Sequence, residues 1–549
     1  MTTIPATREP VPISDLAADL GLEADEVMPY GRIMAKIELS ALERRQATAD
    51  GRLISVTAMT PTKFGEGKTT TAISLVEALG LLGEHSLACL REPSLGPVFG
   101  IKGGGTGGGR AQVVPMEQIN LHFTGDIHAI GAANNLLSAM IDAHILHGNE
   151  LGIDPYTISW RRCIDMDDRT LRRVVIGLGG KANGWPRETG FDITAASEVM
   201  AIAAVASDLD DLHNRLAAIT FASNFDGKPV TAGDMGAAGA MTVLLKDAIK
   251  PNLVQTAEGE PALVHCGPFA NIAHGNNSIV ADLLGLKLAD WVVTESGFGA
   301  DMGFEKLIDI VCRKAGIAPS TVVLVATVKA LKHHGGDAEG GREALERGMA
   351  NLRACLGIVH AFGLQCVIAV NRFPGDSDAD IDLARGLAAE LDVAGVAVSE
   401  GFERGGEGGV ELAEVVMKAA AAGPKTPSFL YSLDDSIEQK IANVATRAYG
   451  AAGIELSPAA RKQAEQFEAE GLGRLPICMA KTHLSLSHDP EVFGAPTGFT
   501  IPVRELRPYT GAGWIVAVCG DVQTMPGLSA HPAALDIDVD QAGRTTGLR

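Results

Sequence analysis

Residues 52–80 read RLISVTAMTPTKFGEGKTTTAISLVEALG and contain the clearest structural signal in the chain. The β-branched and apolar residues of Arg52–Thr60 predict a strand, the glycine-containing Pro61–Gly67 a loop, and Lys68–Gly80 a helix with one apolar face. Backbone N–H groups of such a loop and the positive end of the following helix point at one position, where they can bind an anion. The order of strand, loop and helix therefore predicts a phosphate-binding loop.

The residues of this loop are predicted to bind ATP. They are Thr62, Lys63, Phe64, Gly65, Glu66, Gly67, Lys68 and Thr69. Lys68 can reach the terminal phosphates, and the Thr69 hydroxyl can ligate Mg²⁺. The usual pattern has glycine where Thr62 stands, so the alternative is a helix that merely begins with Gly-Lys-Thr. We favour ATP binding because strand, glycine spacing and helix coincide.

The rest of the chain predicts an α/β protein. Apolar, β-branched runs alternate with helix-length segments, which is typical of a buried parallel sheet. These runs are Leu53–Thr57, Val174–Leu178, Trp291–Thr294, Thr321–Thr327 and Val367–Asn371. The expected fold is a parallel sheet core like that of P-loop NTPases, with additional smaller α/β domains. Three domains are predicted: residues 1–370 for nucleotide binding and catalysis, a second α/β domain at 371–475, and a small C-terminal domain at 476–549.

Composition restricts the classes of partner. With 549 residues and a formal net charge of −21, the protein should repel nucleic acids and acidic membrane surfaces, so an anionic substrate needs a local basic pocket. The eight cysteines include no Cys-x-x-Cys pair and are interpreted as reduced thiols. The N-terminus lacks a basic start with an apolar run, and no apolar stretch approaches the ~18 residues of a membrane helix. We expect a soluble cytoplasmic protein.

A second glycine-rich element, Gly103–Arg110, follows the predicted strand Ser86–Leu90. Such a run taken alone is typical of a flexible linker. Its neighbours indicate a site instead, because Arg91, Lys102 and Arg110 together would provide the basic pocket that an acidic chain needs.

Several blocks in order along the chain resemble the formate-tetrahydrofolate ligase family. They are Thr60–Thr71, Arg91–Lys102, Gln112–Ile130, Val325–Gly336, Asn371–Pro374 and Gly405–Gly409. The resemblance extends over nearly the whole chain. It implies ATP-dependent formylation of tetrahydrofolate through formyl phosphate, releasing ADP and phosphate, in one-carbon metabolism.

The resemblance also implies roles for individual residues. Lys68 and Arg91 would be catalytic, with Arg91 binding the formyl phosphate and Thr69 ligating Mg²⁺. The folate site would include Glu92, Phe373, Pro374 and Phe402, so the domain at 371–475 would contribute to it. A homotetramer assisted by a monovalent cation is typical of the family. The sequence departs from the family pattern where Lys63-Phe64 replace Pro-Ala, Lys329 replaces Arg and Phe402 replaces Trp.

Other functions fit the residues less well. A dethiobiotin-synthetase-like enzyme is disfavoured by the glycine element and the length, and an ATPase that switches a partner protein leaves Arg91 unexplained. Gly297–Gly303 approximates a dinucleotide-binding fingerprint but lacks a convincing second βα unit. We interpret it as a loop near the active site, with Glu295 and Asp301 close to Mg²⁺. Asn371–Pro374 lacks the aspartate of guanine-specific loops, which favours adenine.

Overall fold

The computed structural model describes residues 8–100 and 104–548, which form a mixed α/β fold around a large central sheet. In chain order the strands are β1 (Val27–Pro29), β2 (Ala35–Ile37), β3 (Arg52–Ala58), β4 (Ser86–Leu90), β5 (Gly107–Gly108), β6 (Ala111–Val114), β7 (Arg162–Ile164), β8 (Val174–Ile176), β9 (Arg187–Thr189), β10 (Phe191–Ile193), β11 (Thr220–Ser223), β12 (Pro229–Thr231), β13 (Asn252–Thr256), β14 (Pro261–Val264), β15 (Trp291–Glu295), β16 (Thr321–Ala326), β17 (Cys366–Asn371), β18 (Gly395–Ser399), β19 (Gly453–Leu456), β20 (Ile477–Ala480), β21 (Thr500–Val503), β22 (Glu505–Tyr509), β23 (Trp514–Val518), β24 (Asp538–Val539) and β25 (Thr545–Thr546).

The α-helices, again in chain order, are α1 (Ile13–Asp19), α2 (Ser40–Arg44), α3 (Lys68–Leu81), α4 (Leu95–Phe99), α5 (Met116–Asn120), α6 (Asp126–Leu146), α7 (Glu198–Val205), α8 (Leu209–Ala218), α9 (Ala238–Leu245), α10 (Ile279–Leu288), α11 (Arg313–Ala315), α12 (Val328–His334), α13 (Arg342–Ala361), α14 (Asp378–Ala389), α15 (Gly401–Arg404), α16 (Val410–Ala420), α17 (Ile437–Arg447) and α18 (Pro458–Ala469). Two π-helical stretches, Ala300–Phe304 and Leu307–Cys312, precede α11.

The central sheet has the strand order β1-β2-β13-β14-β4-β15-β3-β16-β17-β18, and β6 and β5 extend it beside β13. From β14 to β18 in this order, each strand is parallel to the next one, as the apolar runs predict. At the other edge β13, β2 and β1 are antiparallel, so the sheet is mixed. Parallel strands need helical crossovers, whereas the short antiparallel strands extend one edge.

Successive side chains of the central strands enter different hydrophobic clusters on the two faces of the sheet. In β16, Val323 and Val325 belong to the cluster that includes residues of α3 and α16, whereas Val322 and Leu324 belong to the cluster that includes residues of α13. This alternation follows from the pleat of a strand. Helices therefore cover both faces, and the polar groups that could bind substrates lie at the strand ends.

One predicted strand lies outside the central sheet, so that part of the prediction was wrong. Val174–Ile176 forms an antiparallel pair with Arg187–Thr189, and Val175 is 57% exposed. A short β-branched run is apolar enough for either setting, and the glycine-rich segment at 177–184 returns the chain directly for antiparallel pairing.

The boundary predicted near residue 370 falls within the central sheet, because β17 pairs along its length with β18. The division into three domains stays a prediction. All eight cysteines are buried and free. No helix formed by residues 8–100 and 104–548 combines the length and the apolar character that a membrane span requires.

Candidate functional site

The predicted phosphate loop connects β3 to α3 at the carboxyl edge of the parallel strands, where open α/β sheets bind ligands. Gly65 and Gly67 adopt positive φ values of 78° and 71°. A Cβ atom on Gly67 would lie 2.4 Å from the Nδ2 atom of Asn371. Glycine at position 67 is therefore required both by the backbone conformation and by the close approach of β17.

The carboxylate of Glu66 closes the loop onto itself. Its Oε1 atom accepts hydrogen bonds from the backbone N–H of Thr62 at 2.7 Å and from the Thr62 hydroxyl at 2.9 Å. The Thr62 hydroxyl in turn accepts a hydrogen bond from the N–H of Phe64. The threonine that departs from the usual glycine pattern is thus the residue that shapes this loop.

The loop entrance is anchored by α12 and α13. His334 Nε2 donates a hydrogen bond to the carbonyl oxygen of Thr60 at 2.8 Å, and the N–H of Gly494 approaches His334 Nδ1 at 3.3 Å. A carbonyl oxygen only accepts, so Nε2 carries the proton. Burial lowers the pKa of His334 to about 4, which keeps the ring neutral at pH 7. Asn351 exchanges two further hydrogen bonds with Thr60, so the end of β3 has little freedom to move.

Opposite charges meet at the start of α3. The Thr69 hydroxyl donates a hydrogen bond to Glu295 Oε2 at 2.7 Å, and Arg91 Nε lies 3.7 Å from Glu295 Oε1. Glu295 is 4% exposed and Arg91 is 29% exposed, so the guanidinium keeps access to the space in front of it. The pKa of Lys68 is lowered, because the effect of burial is larger than the opposing effect of the nearby carboxylates of Glu66 and Glu295.

Lys68, Thr69 and Arg91 all line one cleft of about 980 Å³. Its wall is formed by the ends of β4 and β15, by the segment after β14, and by C-terminal loops. The lining side chains or backbone groups include Glu92, Ser94, Gly104, Gly105, Asp167, Gly267, Ala270, Asn271, Glu295, Phe298, Lys481, His483, His488, Asp521, Val522 and Gln523. The predicted catalytic pair and Glu92 are therefore brought together.

The environment of Glu92 differs from that of a solvent-exposed folate contact. Its side chain is buried, and its backbone N–H donates to the carbonyl oxygen of Cys266 at 2.8 Å. Burial raises the pKa of Glu92 well above its ordinary value, the carboxylate of Asp126 raises it further, and Lys36 opposes the shift. A Glu92 carboxyl that lines the cleft in its neutral form can donate a hydrogen bond as well as accept one.

The aromatic pair predicted for the folate ring lies on the other side of the loop. The Cζ atom of Phe373 would be 3.5 Å from a Cβ on Gly67, and the ring of Phe402 would be 3.3 Å from a Cβ on Gly108. Both phenylalanines are half-buried and Pro374 is exposed. None of these three is among the described residues that line the cleft. They border the start of α3 from the side of β17 and β18.

The predicted basic pocket is divided. Arg91 lines the cleft, but Arg110 lies with Phe402, whose carbonyl oxygen accepts a hydrogen bond from the Arg110 N–H at 2.9 Å. Lys102 and Gly103 lie outside the described residues. The structure therefore brings only Arg91 of the three predicted cations to the cleft among the residues it describes.

Three residues that depart from the family pattern, Lys63, Phe64 and Lys329, lie together beside the loop. Lys329 Nζ lies 4.5 Å from the centre of the Phe64 ring, and Lys63 Nζ lies 5.3 Å from it. The edge of His333 also packs against Phe64. A cation near an aromatic face is attracted by the ring quadrupole, so Phe64 and its two lysines support one another. Lys63 itself is exposed.

Lys481 and His483 line the cleft and were not predicted from the sequence. Lys481 and Asp301 form a fully buried ion pair, with Lys481 Nζ 2.6 Å from Asp301 Oδ2. Phe298, with a φ of 62°, stacks on His483 with ring centres 4.1 Å apart. Lys481 and His483 belong to no motif in the sequence. The glycines around Phe298 were the signal that placed its loop near the site.

Comparison with known proteins gives one family. The sequence profile of the family described as formate-tetrahydrofolate ligase matches residues 2–549. The chain is 56% identical to a protein named formate-tetrahydrofolate ligase from Roseiflexus sp. (strain RS-1), over 98% of this chain and 97% of the relative. It is 52% identical to a protein of the same name from Desulforamulus reducens, over 99% and 98% of the two chains, and 53% identical to one from Granulibacter bethesdensis, over 98% and 95%.

Proposed function

Because the chain belongs to the formate-tetrahydrofolate ligase family, we propose that the Lys68–Arg91 cleft performs the ATP-dependent ligation of formate to tetrahydrofolate through formyl phosphate. The observation that carries this proposal is that two cationic side chains, those of Lys68 and Arg91, line the same cleft. Lys68 opens the helix after the glycine loop, Arg91 directly follows strand β4, which β15 separates from β3, and both residues line one cleft. The strand, loop and helix would serve as a P-loop for the triphosphate.

In the first step an oxygen of formate attacks the γ-phosphorus of ATP. A phosphorus–oxygen bond forms, the bond to the β-phosphate oxygen breaks, and ADP leaves with that electron pair. Formate is a poor acyl donor because its carboxylate has no good leaving group, and the mixed anhydride supplies one. Lys68 and the loop N–H groups would stabilise charge on the phosphates, and the Arg91 guanidinium can fork across two oxygens of formyl phosphate.

A magnesium site fits the same place. The Thr69 hydroxyl and the Glu295 carboxylate are oxygen donors 2.7 Å apart beside the loop, and Mg²⁺ prefers oxygen ligands. When bound with ATP, the ion would neutralise part of the phosphate charge. Thr69 would keep its hydroxyl hydrogen bond to Glu295 and could offer an oxygen lone pair to the metal.

In the second step N10 of tetrahydrofolate attacks the formyl carbon. A carbon–nitrogen bond forms, the carbon–oxygen bond to phosphate breaks, and N10 loses a proton. Phe373 and Phe402, which border the start of α3, would stack on the flat pterin ring, with exposed Pro374 at the rim. Glu92 would contact the folate from within the cleft. Product phosphate would leave from the position between Lys68 and Arg91.

The family resemblance supports further proposals. We propose a cytoplasmic homotetramer that is assisted by a monovalent cation. The hairpin of β8 and β9 exposes large apolar side chains, Val175, Leu178 and Trp185 being at least half exposed, as a subunit contact would require.

Omitting each substrate in turn tests the proposed reaction. ADP release should need both formate and tetrahydrofolate for sustained turnover, because the intermediate is consumed only by the folate. The measurement is coupled ADP release with all three substrates, without formate, and without tetrahydrofolate. Equal ADP release without either one would favour an ATPase that switches a partner protein and would overturn the proposal.

A further inference from the structure

The segment that precedes α10 lies against the end of strand β15, where Glu295 is the last residue of the strand. The N–H of Gly297 donates a hydrogen bond to the carbonyl oxygen of Gly275 at 2.8 Å. The next two residues, Asn276 and Asn277, bind the residues on either side of Glu295. We call these two residues the asparagine clamp.

Each residue of the asparagine clamp accepts a hydrogen bond from a hydroxyl next to Glu295. The Thr294 hydroxyl donates to Asn277 Oδ1 at 2.7 Å, and the Ser296 hydroxyl donates to Asn276 Oδ1 at 2.8 Å. These four residues are fully buried, so water cannot replace a hydrogen bond that is lost there. The backbone of Glu295 is therefore held through both of its neighbours in the chain.

The amide nitrogens of the two asparagines fix the clamp to the rest of the fold. Asn277 Nδ2 donates a hydrogen bond to Asp282 Oδ1 on α10 at 2.9 Å. Asn276 Nδ2 donates to the carbonyl oxygen of His274 at 2.6 Å and to that of Gly303 at 3.2 Å. Because carbonyl oxygens only accept, the Asn276 amide has one satisfactory orientation, with its oxygen toward the hydroxyl beside Glu295.

The carboxylate of Glu295 contacts two groups that the proposed reaction uses. Its Oε2 atom accepts the hydrogen bond from the Thr69 hydroxyl at 2.7 Å, and its Oε1 atom lies 3.7 Å from Arg91 Nε. A Cβ atom on Gly297 would lie 3.0 Å from Arg91 Nη1, so the guanidinium also lies against the backbone that the clamp holds. A displacement of Glu295 would therefore move both the hydroxyl and the arginine.

We propose that Asn276 and Asn277 are positioning residues for phosphoryl transfer to formate, because they fix Glu295. This inference rests on the proposed function. Through Glu295 the clamp holds the Thr69 hydroxyl and the Arg91 guanidinium where the phosphoryl group is transferred. Neither asparagine is among the described residues that line the cleft, so both act through other side chains. A misplacement of about 1 Å in such a site can lower the rate about 100-fold.

The test removes the two hydroxyls that the clamp binds and changes the shape of the strand end little. The variant Thr294→Val/Ser296→Ala, called here the hydroxyl variant, should lower kcat by about 10-fold to 100-fold. Its KM values for formate, ATP and tetrahydrofolate should change less than about threefold, since the clamp touches no substrate. Thr294→Ser keeps its hydroxyl and should keep kcat within about threefold of the natural value. Coupled ADP release with each substrate varied measures these constants.

The matched control is Thr321→Val, which removes a buried strand hydroxyl far from the cleft. Thr321 is the first residue of β16, at the amino edge of the parallel strands, and its hydroxyl donates to the carbonyl oxygen of Gln365 at 3.4 Å. This variant should retain the natural kcat. Thermal unfolding of every variant is recorded, and the hydroxyl variant should lose more activity than the control even where both unfold at the same temperature.

A double-mutant cycle separates positioning from a purely structural role. Glu295→Ala removes the side chain through which the clamp acts. Adding the two hydroxyl substitutions to Glu295→Ala should therefore lower kcat further by less than about threefold. If Glu295→Ala forms no measurable ADP, the split between kcat and KM in the hydroxyl variant decides, and a rise of KM for all three substrates without a fall of kcat overturns the inference.

Two further results would overturn the inference while leaving the proposed function intact. They are a natural kcat in the hydroxyl variant, and an equal loss of kcat from the hydroxyl substitutions with and without Glu295. In both cases the natural enzyme would still need formate and tetrahydrofolate for ADP release. Loss of that requirement in the natural enzyme would instead contradict the proposed function.

Discussion

Replacing Lys68 with alanine is expected to reduce the rate of ADP formation by about 10³-fold or more while the protein remains folded. Lys68 is the first residue of α3 and lines the cleft, and partial withdrawal from water lowers the pKa of its ammonium. A cation in such a site stabilises phosphate charge more strongly than it would in water. Coupled ADP release at saturating formate and tetrahydrofolate measures the effect.

The matched control is Lys228→Ala, since Lys228 is exposed in the turn between β11 and β12, away from the cleft. It should retain the natural rate. Circular dichroism and thermal unfolding of both variants should match the natural protein. A Lys68→Ala enzyme that forms ADP within about threefold of the natural rate would exclude a major role for this side chain in phosphate stabilisation.

Replacing Arg91 with alanine is expected to lower kcat/KM for formate by about 10²-fold to 10³-fold. Arg91 faces the cleft beyond Glu295, where the formyl phosphate oxygens are proposed to lie. The affinity for ATP should change little, because the loop and Lys68 are proposed to hold the triphosphate. Initial rates with varied formate, together with equilibrium binding of ATP, separate the two effects.

Arg91→Lys serves as the paired variant, since it keeps the charge and loses only the fork. It should recover part of the rate lost in Arg91→Ala. Equal kcat/KM for formate in the alanine variant and the natural enzyme would show that Arg91 does not contact the formyl group. An equal loss of ATP affinity in both variants would assign Arg91 to the nucleotide instead.

The strand, loop and helix of the predicted phosphate loop could be predicted from the sequence because their signals are local. β-branched residues, glycines and a helical apolar pattern follow one another within 29 residues, 52–80, and each has a short-range physical cause. The role of Thr62, which stands where the usual pattern has glycine, became clear only in the structure, where its hydroxyl donates a hydrogen bond to Glu66. The position of Arg91 at the end of β4 was likewise predictable from its strand.

The rest of the cleft depends on contacts between distant parts of the chain. Thr69 and Glu295 are 226 residues apart, and Lys481 reaches Asp301 across 180 residues. Side-chain pattern does not encode which strand lies beside which, so such pairs emerge only from the strand order. The hydrogen bond from Arg172 to the carbonyl oxygen of Met525 is a similar case, because the two residues belong to segments with no shared motif.

The error at Val174–Ile176 has the same origin. A short apolar run predicts a strand, and the chain does form one, but its partner is decided by the glycine-rich turn that follows. The residues themselves predicted that this segment forms a strand. Its place outside the central sheet was not predictable from them.

The most direct test of the central claim follows a heavy oxygen isotope from formate. In the proposed reaction, formyl phosphate is made when a formate oxygen bonds to the γ-phosphorus, and that oxygen stays with phosphorus when N10 attacks the formyl carbon. Mass spectrometry of the products from fully labelled formate should therefore find one labelled oxygen in each inorganic phosphate and none in ADP. Unlabelled phosphate, or label in the nucleotide, would contradict the account.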